Sequence, residues 1–346
     1  MPPAPRSRSN RALHTGTELA AAGAIAPERI AAIDQVAARY AVSVTPALLD
    51  VMDAGDATDP IARQFIPDEA ELETAPNELH DPIGDLSHSP VKGIVHRYPD
   101  RVLLTPLLTC PVYCRYCFRR ERVGQEKALG AVELEAALDY IRSHDAIWEV
   151  ILTGGDPLML PPARIAATIA ALNAIPHVRT IRIHSRVPVA DPARITPELI
   201  AALDGAKPVW LAVHVNHARE LSDTARAACT RLAKAGVPLI GQTVLLKGVN
   251  DDPATMEALL RAMVETRIKP YYLHHLDLAP GTGHFRTTID AGQALMKSLR
   301  GRVSGLCQPE YVLDIPGGHG KAPIGPVYQD GGMIEDWQGG RHDYAG

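Results

Sequence analysis

Between residues 102 and 315 short apolar runs alternate with amphipathic stretches, and no other feature of the chain restricts its fold as much. The runs are "VLLTPLL", "EVILTGG", "TIRIHS", "VWLAVHV", "LIGQTVLL", "PYYLHHLDL" and, after the last helix, "EYVLDI". Between them lie "ELEAALDYIRSH", "PARIAATIAALNA", "TPELIAALDGA" and "DTARAACTRLAKAG". The runs have strand length, and the intervening stretches place apolar residues at helical spacing. Thr196 and Pro197 supply an N-cap and a first turn, and Gly236 a C-cap. Strand followed by helix, again and again, predicts a parallel sheet. Polar residues close nearly every run, which favours curling that sheet into a barrel, because barrel sites are built at the C-terminal ends of strands. The expected fold is α/β: a partial (α/β)6 TIM-like barrel preceded by an N-terminal helical segment.

Four regions follow from composition. Residues 1–20 are basic and rich in Pro and Ser, without the apolar core of a secretory signal, and read as a disordered tail. Residues 21–95 hold the helix "PERIAAIDQVAARY", a second short helix "TPALLDVMDAG" ending at Gly55, and a stretch with too much Pro, Asp and Gly for regular structure, which reads as a long wrapping connection. Residues 96–326 form the barrel, and 327–346 a C-terminal tail. A net charge of -5 disfavours a nucleic-acid binder. No window approaches the roughly 18 apolar residues of a membrane helix. Five cysteines, three of them crowded together, suit a reducing cytoplasm with metal or redox chemistry better than a disulfide framework.

The crowded three are Cys110, Cys114 and Cys117 in "LLTCPVYCRYCFRRERVG", just after the first barrel strand. Thiolates are the usual ligands of iron-sulfur clusters, and three of them leave one iron of a four-iron cluster open to a substrate. A zinc knuckle would need a fourth Cys or His close by, whereas Cys229 and Cys307 are distant. The C-x3-C-x2-C spacing resembles the signature of radical S-adenosylmethionine enzymes, in which the open iron chelates the methionine part of the cofactor. "ILTGGDPLML" then resembles their segment for the cofactor's amino group, with Gly154, Gly155 and Asp156 the candidate residues and a plain turn the alternative. His214 and Gln242, at the ends of later strands, are either further cofactor contacts or satisfied core polar groups. Near the C-terminus, "YVLDIPGGHGKAPIGP" sets Lys321 in a glycine-rich context, and a lysine amine is the group that holds pyridoxal phosphate. Arg97, Tyr98 and Arg101 in "HRYPDRVLL" are candidates for its phosphate.

Taken together, Cys110 to Arg120, "GGDPL", "WLAVHVNHARE", "QTVLLKGVNDD", "YYLHHLDLAPGTGHFRT" and "DIPGGHGKAPIGP" resemble the lysine 2,3-aminomutase family across roughly residues 55–326. The resemblance implies a radical S-adenosylmethionine partial barrel carrying a [4Fe-4S] cluster, S-adenosylmethionine and pyridoxal 5'-phosphate. It implies migration of the α-amino group of lysine to the β-carbon, giving β-lysine. By the same resemblance Arg119 meets the substrate carboxylate, and Asp277 and Asp314 its side-chain ammonium. An electron donor such as flavodoxin or ferredoxin is the implied partner; a homo-oligomer is left open. Clostridial-type members carry a C-terminal extension with zinc-binding cysteines, and a partner cysteine where this chain has Asp252; no cysteine follows Cys307 here, so no structural zinc is expected. The length resembles instead the branch that makes β-lysine for elongation factor P, a branch that does not keep the second substrate aspartate, whereas Asp314 is present. That branch, and an aminomutase for another amino acid, stand as the alternatives.

Overall fold

The structure, a computed structural model, describes residues 11–53, 56, 58–125 and 128–344. Nine strands form one sheet in sequence order: β1 (Ile94–Tyr98), β2 (Arg101–Leu107), β3 (Glu149–Gly154), β4 (Thr180–Ser185), β5 (Val209–His214), β6 (Leu239–Val244), β7 (Ile268–His274), β8 (Glu310–Ile315) and β9 (Gly320–Pro323). The neighbours from β2 to β8 pair in parallel, while β1 and β9 are antiparallel edges. All seven runs read as strands are strands. The two edges carry no such run, and only the register of their partners shows them: Tyr98 opposes Arg101, and Lys321 opposes Asp314.

The sheet does not close through backbone pairing. Side chains bridge the seam instead: the Lys321 amide donates to the Tyr98 hydroxyl at 2.6 Å, and an Arg97 guanidinium nitrogen lies 3.5 Å from Asp314 Oδ1.

Period-two alternation sends one row of each strand outward and the other inward. Val150 and Leu152, Ile181 and Ile183, and Leu211 and Val213 join Leu138, Ile141, Ile169, Leu232 and Met263 of the surrounding helices in one apolar core. The alternate positions hold Thr153, His184, His214, Gln242, Tyr272, His274 and Asp314. Barrel interiors are ordinarily filled with Val, Ile and Leu. A polar inner row instead leaves a chamber suited to ligands.

The N-terminal region is more ordered than its composition suggests. Residues 1–10 of the expected disordered tail lie outside the described residues, but 11–20 are structured: Leu13 bridges Val44, and a helix runs over Gly16–Ala21 with Thr15 as its cap. The second predicted helix covers only Pro46–Leu49, and its expected end at Gly55 falls outside the described residues. The wrapping stretch contains a helix at Pro60–Phe65, capped by Asp59, and a turn of 3-10 helix at Glu69–Leu72, capped by Asp68. Proline at a first helical turn and aspartate at the cap are helix starts, which explains why a Pro- and Asp-rich stretch is regular here. The final segment, expected as a tail, forms a small antiparallel sheet of β10 (Gln329–Asp330), β11 (Met333–Glu335) and β12 (Arg341–Asp343).

Residues 71–89 form a strap tied to the cysteine loop and to the loop beyond β7. Buried Glu71 accepts from Arg115 Nε at 3.0 Å and Nη2 at 2.6 Å and pairs with Arg120, both from the cysteine loop. Glu78 accepts from the Gly281 amide at 2.9 Å and Arg286 at 3.0 Å, in the loop beyond β7. Asp85 holds Arg97 and Arg119, as described below.

Candidate active site

The cysteine loop leaves the end of β2. Cys110, Cys114 and Cys117 are all free thiols, partly exposed, while Cys229 and Cys307 are buried elsewhere. Burial pushes the Cys110 thiol well above its usual range, helped by Asp156 and the other two thiols, and pushes Cys117 up to about 11, helped by Cys114. The bare thiols of Cys110 and Cys117 therefore hold their protons, and binding a metal group must release them. Among the described residues no three His, Cys, Asp or Glu side chains meet at a point suited to one metal ion. A four-iron cluster makes no such demand, because it takes each thiolate at a different iron. Around Cys114 lies a buried network that the sequence did not disclose. Arg186 donates to Cys114 Sγ at 3.2 Å, to Glu220 Oε2 at 2.5 Å and to Gln64 Oε1 at 3.1 Å, and also reaches the Tyr116 hydroxyl.

Gly154 ends β3 beside this loop, and Gly155 follows it. Gly154 has φ +109°, and a Cβ on Gly155 would stand 2.4 Å from the Thr109 carbonyl oxygen. These glycines thus allow β3 to press against the start of the cysteine loop. The Asp156 side chain is engaged within the protein: Oδ2 accepts from Ser185 Oγ at 3.0 Å and from the Arg186 and Val187 amides at 2.6 and 3.1 Å, and Oδ1 accepts from the Leu158 amide. Its carboxylate is spent tying the end of β3 to the end of β4. His214 and Gln242, by contrast, are register partners on the inner row, and the His214 ring nitrogen Nε2 lies 3.2 Å from the Tyr116 hydroxyl. Burial, followed by the Arg186 charge, holds His214 well below its usual range and therefore neutral.

Across the chamber stand the charged candidates. Lys321 lies on β9 and not in the glycine-rich loop, and its ammonium donates to both Asp314 oxygens at 2.8 Å as a cross-strand pair. Burial alone would raise Asp314; His274, 3.7 Å away, and the Lys321 charge outweigh it and hold the carboxyl below its usual range. Asp277 behaves in the opposite way. Burial, followed by the Asp314 charge, pushes it up to about 7, with Lys321 and Arg119 pulling the other way. Asp277 thus lies within range of the charges of Asp314, Lys321 and Arg119. Asp277 sits three residues beyond β7, in the loop anchored by the Leu79 amide on the Leu278 carbonyl at 2.7 Å.

Of the phosphate candidates, Tyr98 bonds the Lys321 amide and Arg97 touches Asp314, while Arg101 stacks over the Tyr98 ring at 3.8 Å and pairs with exposed Asp100. Asp85 is the residue that sequence reasoning missed: Oδ2 accepts from Arg119 Nε at 2.7 Å and lies 2.6 Å from Nη2, and Oδ1 accepts from Arg97 Nη2 at 3.0 Å. No local pattern in "DPIGD" marks it. Arg97 Nε and His184 Nε2 are buried without a hydrogen-bond partner, which suits a chamber built to hold a further polar group.

A parallel partial barrel with three thiols after its first parallel strand defines the radical S-adenosylmethionine class, and residues 104–260 match the family model described as the Radical SAM superfamily. L-lysine 2,3-aminomutase of Acetoanaerobium sticklandii is 42% identical over 305 residues, covering 88% of this chain and 74% of that protein. Its counterpart in Escherichia coli is 37% identical, with 82% of this chain and 83% of that protein covered. Glutamate 2,3-aminomutase of Clostridioides difficile is 37% identical, with 89% and 74% covered. The chain belongs to the lysine 2,3-aminomutase family of radical S-adenosylmethionine enzymes. Membership implies a [4Fe-4S] cluster and S-adenosylmethionine. Among the described residues no helix is long and apolar enough to cross a membrane.

Proposed function

We propose that this protein is a lysine 2,3-aminomutase that moves the α-amino group of free L-lysine to the β-carbon, and that it uses pyridoxal phosphate. Relatives named L-lysine 2,3-aminomutase reach 42 and 44% identity, against 37% for the glutamate-directed one, and the site gives an independent reason for the choice. The site feature that supports the choice is the carboxylate of Asp314, paired with Lys321, with Asp277 close enough to feel its charge. Burying a side-chain ammonium unpaired is costly, and these carboxylates answer it; a glutamate side chain would meet like charge.

The three thiolates would hold the cluster, Lys321 the pyridoxal phosphate, and Arg97 and Tyr98 flank that lysine for the phosphate. When bound, these groups supply the radical that opens the reaction and the π-system that carries it through amino migration. The chain's own part is positional. Arg119 anchors the carboxylate end of the substrate, and the aspartates at the ammonium end keep the reacting carbons from sliding. A slip of about 1 Å can cost roughly a hundredfold. Asp314 is held by Lys321 in the free protein and becomes available to the substrate ammonium once the lysine amine is otherwise engaged. Neutral His214 and His274 add polarity to the chamber without adding cations that would repel that ammonium.

Anaerobically reconstituted protein with S-adenosylmethionine, pyridoxal phosphate and a reductant should convert L-lysine to β-lysine and leave glutamate untouched. Asp277→Asn and Asp314→Asn should each raise the lysine KM or lower turnover at least tenfold, about 1.4 kcal/mol. A preference for glutamate, or unchanged lysine kinetics in both variants, would refute the assignment.

A further inference from the structure

We propose that Asp85 is a positioning residue for substrate recognition: its carboxylate spans Arg97 and Arg119 and turns their remaining edges into the chamber. This deepens the lysine 2,3-aminomutase reading and rests on it. One carboxylate serves both guanidinium groups, Oδ2 taking the Nε and Nη2 edge of Arg119 and Oδ1 taking Nη2 of Arg97. What each arginine has left reaches the strand ends. Arg119 Nη1 lies 3.5 Å from the Gly154 carbonyl at the end of β3, and Arg97 Nη1 lies 3.5 Å from Asp314. All three side chains are nearly buried, at 5% exposure for Asp85, 7% for Arg97 and 9% for Arg119, so water does not compete for these bonds.

The position of Asp85 is itself fixed. Asp81 accepts from the Asp85 and Leu86 amides at 2.8 Å each, and Ser89 Oγ donates to the Asp85 carbonyl at 2.8 Å. Gly84, at φ +69°, lies so close to the glycine-rich loop that a Cβ would stand 2.7 Å from Gly318 Cα. The turn that carries Asp85 is therefore wedged against the loop leading into Lys321. Without the carboxylate, Arg119 keeps its charge and loses its aim. A planar bidentate donor is useful only in one orientation.

The substrate carboxylate does not change charge in the reaction, so a contact to it is worth as much in the ground state as in the transition state. Its loss appears in KM and not in turnover. Asp85→Asn should weaken equilibrium binding of lysine, and raise its KM, at least tenfold, with kcat within threefold, while iron content and reductive cleavage of S-adenosylmethionine stay at wild-type levels. Because Asp85 acts through Arg119, the double variant with Arg119→Lys should be no more than about threefold worse than Arg119→Lys alone, a non-additive cycle. If Asp85→Asn fails to retain iron, Asp85→Ala reconstituted with and without formate gives the same reading: formate should restore lysine binding. Unchanged lysine affinity in Asp85→Asn, fully additive penalties, or no effect of formate would overturn the proposal while leaving the functional reading in place. A wild-type protein that turned over no amino acid would overturn both.

Discussion

Asp277 and Asp314 are the same residue type in the same chamber, yet their protons behave oppositely. Lys321 and His274 attend Asp314, whereas Asp277 meets burial and a neighbouring negative charge. Two acids do not therefore bring two full charges to the substrate at neutral pH, as a count of aspartates in the sequence would suggest. A carboxyl held at about 7, against an ordinary 3.8, keeps its proton in the folded chain while the unfolded chain loses it. Stability accordingly falls as pH rises from the unfolded value through the folded one. Asp277→Asn removes that loss, so its melting temperature in the cofactor-free protein should exceed wild type by more at pH 8 than at pH 5. Function runs the other way, because the ionised form pairs best with the lysine ammonium. The kcat/KM for lysine should rise with pH through a limb near 7 that Asp277→Asn abolishes. Equal melting differences at the two pH values would show that Asp277 titrates normally.

At the scale of elements, the strap decides more than its composition promises. Glu71 is fully buried and meets two arginines of the cysteine loop. Removing one partner of a buried ionic group strands the others in a low-dielectric interior, at a cost of about 3–5 kcal/mol. Glu71→Gln keeps the shape and removes the charge. It should lower the denaturant midpoint markedly, and cluster loading should fall with it, because Arg115 lies between Cys114 and Cys117. A variant with wild-type stability and iron content would show that the strap is only a connection. The glycine-rich loop offers a similar lesson: Gly318 presses on the strap and Gly320 on Tyr98, whereas Lys321 itself stands on a strand edge opposite Asp314.

Over the whole molecule the two candidate stations stand on different elements, the thiols in the loop after β2 and Lys321 on β9. They draw on different parts of the chain, which makes them separable. Lys321→Ala should lose borohydride-fixed pyridoxal phosphate while retaining iron and S-adenosylmethionine cleavage, and Cys114→Ala should do the reverse; fixation at another lysine would refute the assignment. The sequence by itself determined the parallel strands, the cysteine trio and the region of Lys321, because periodicity and contiguous motifs are written in residues a few positions apart. It also carried the family resemblance that matched relatives later bore out. Only the tertiary structure decided the rest: that Asp156 ties two strands together, that Asp85 reaches Arg119 across 34 positions, and that Tyr98 meets Lys321 across 223. Those partners lie on different elements with no shared period or spacing. An aspartate that caps a turn, one that braces an arginine and one that waits for a substrate look alike in sequence, and burial and neighbouring charge alone tell them apart.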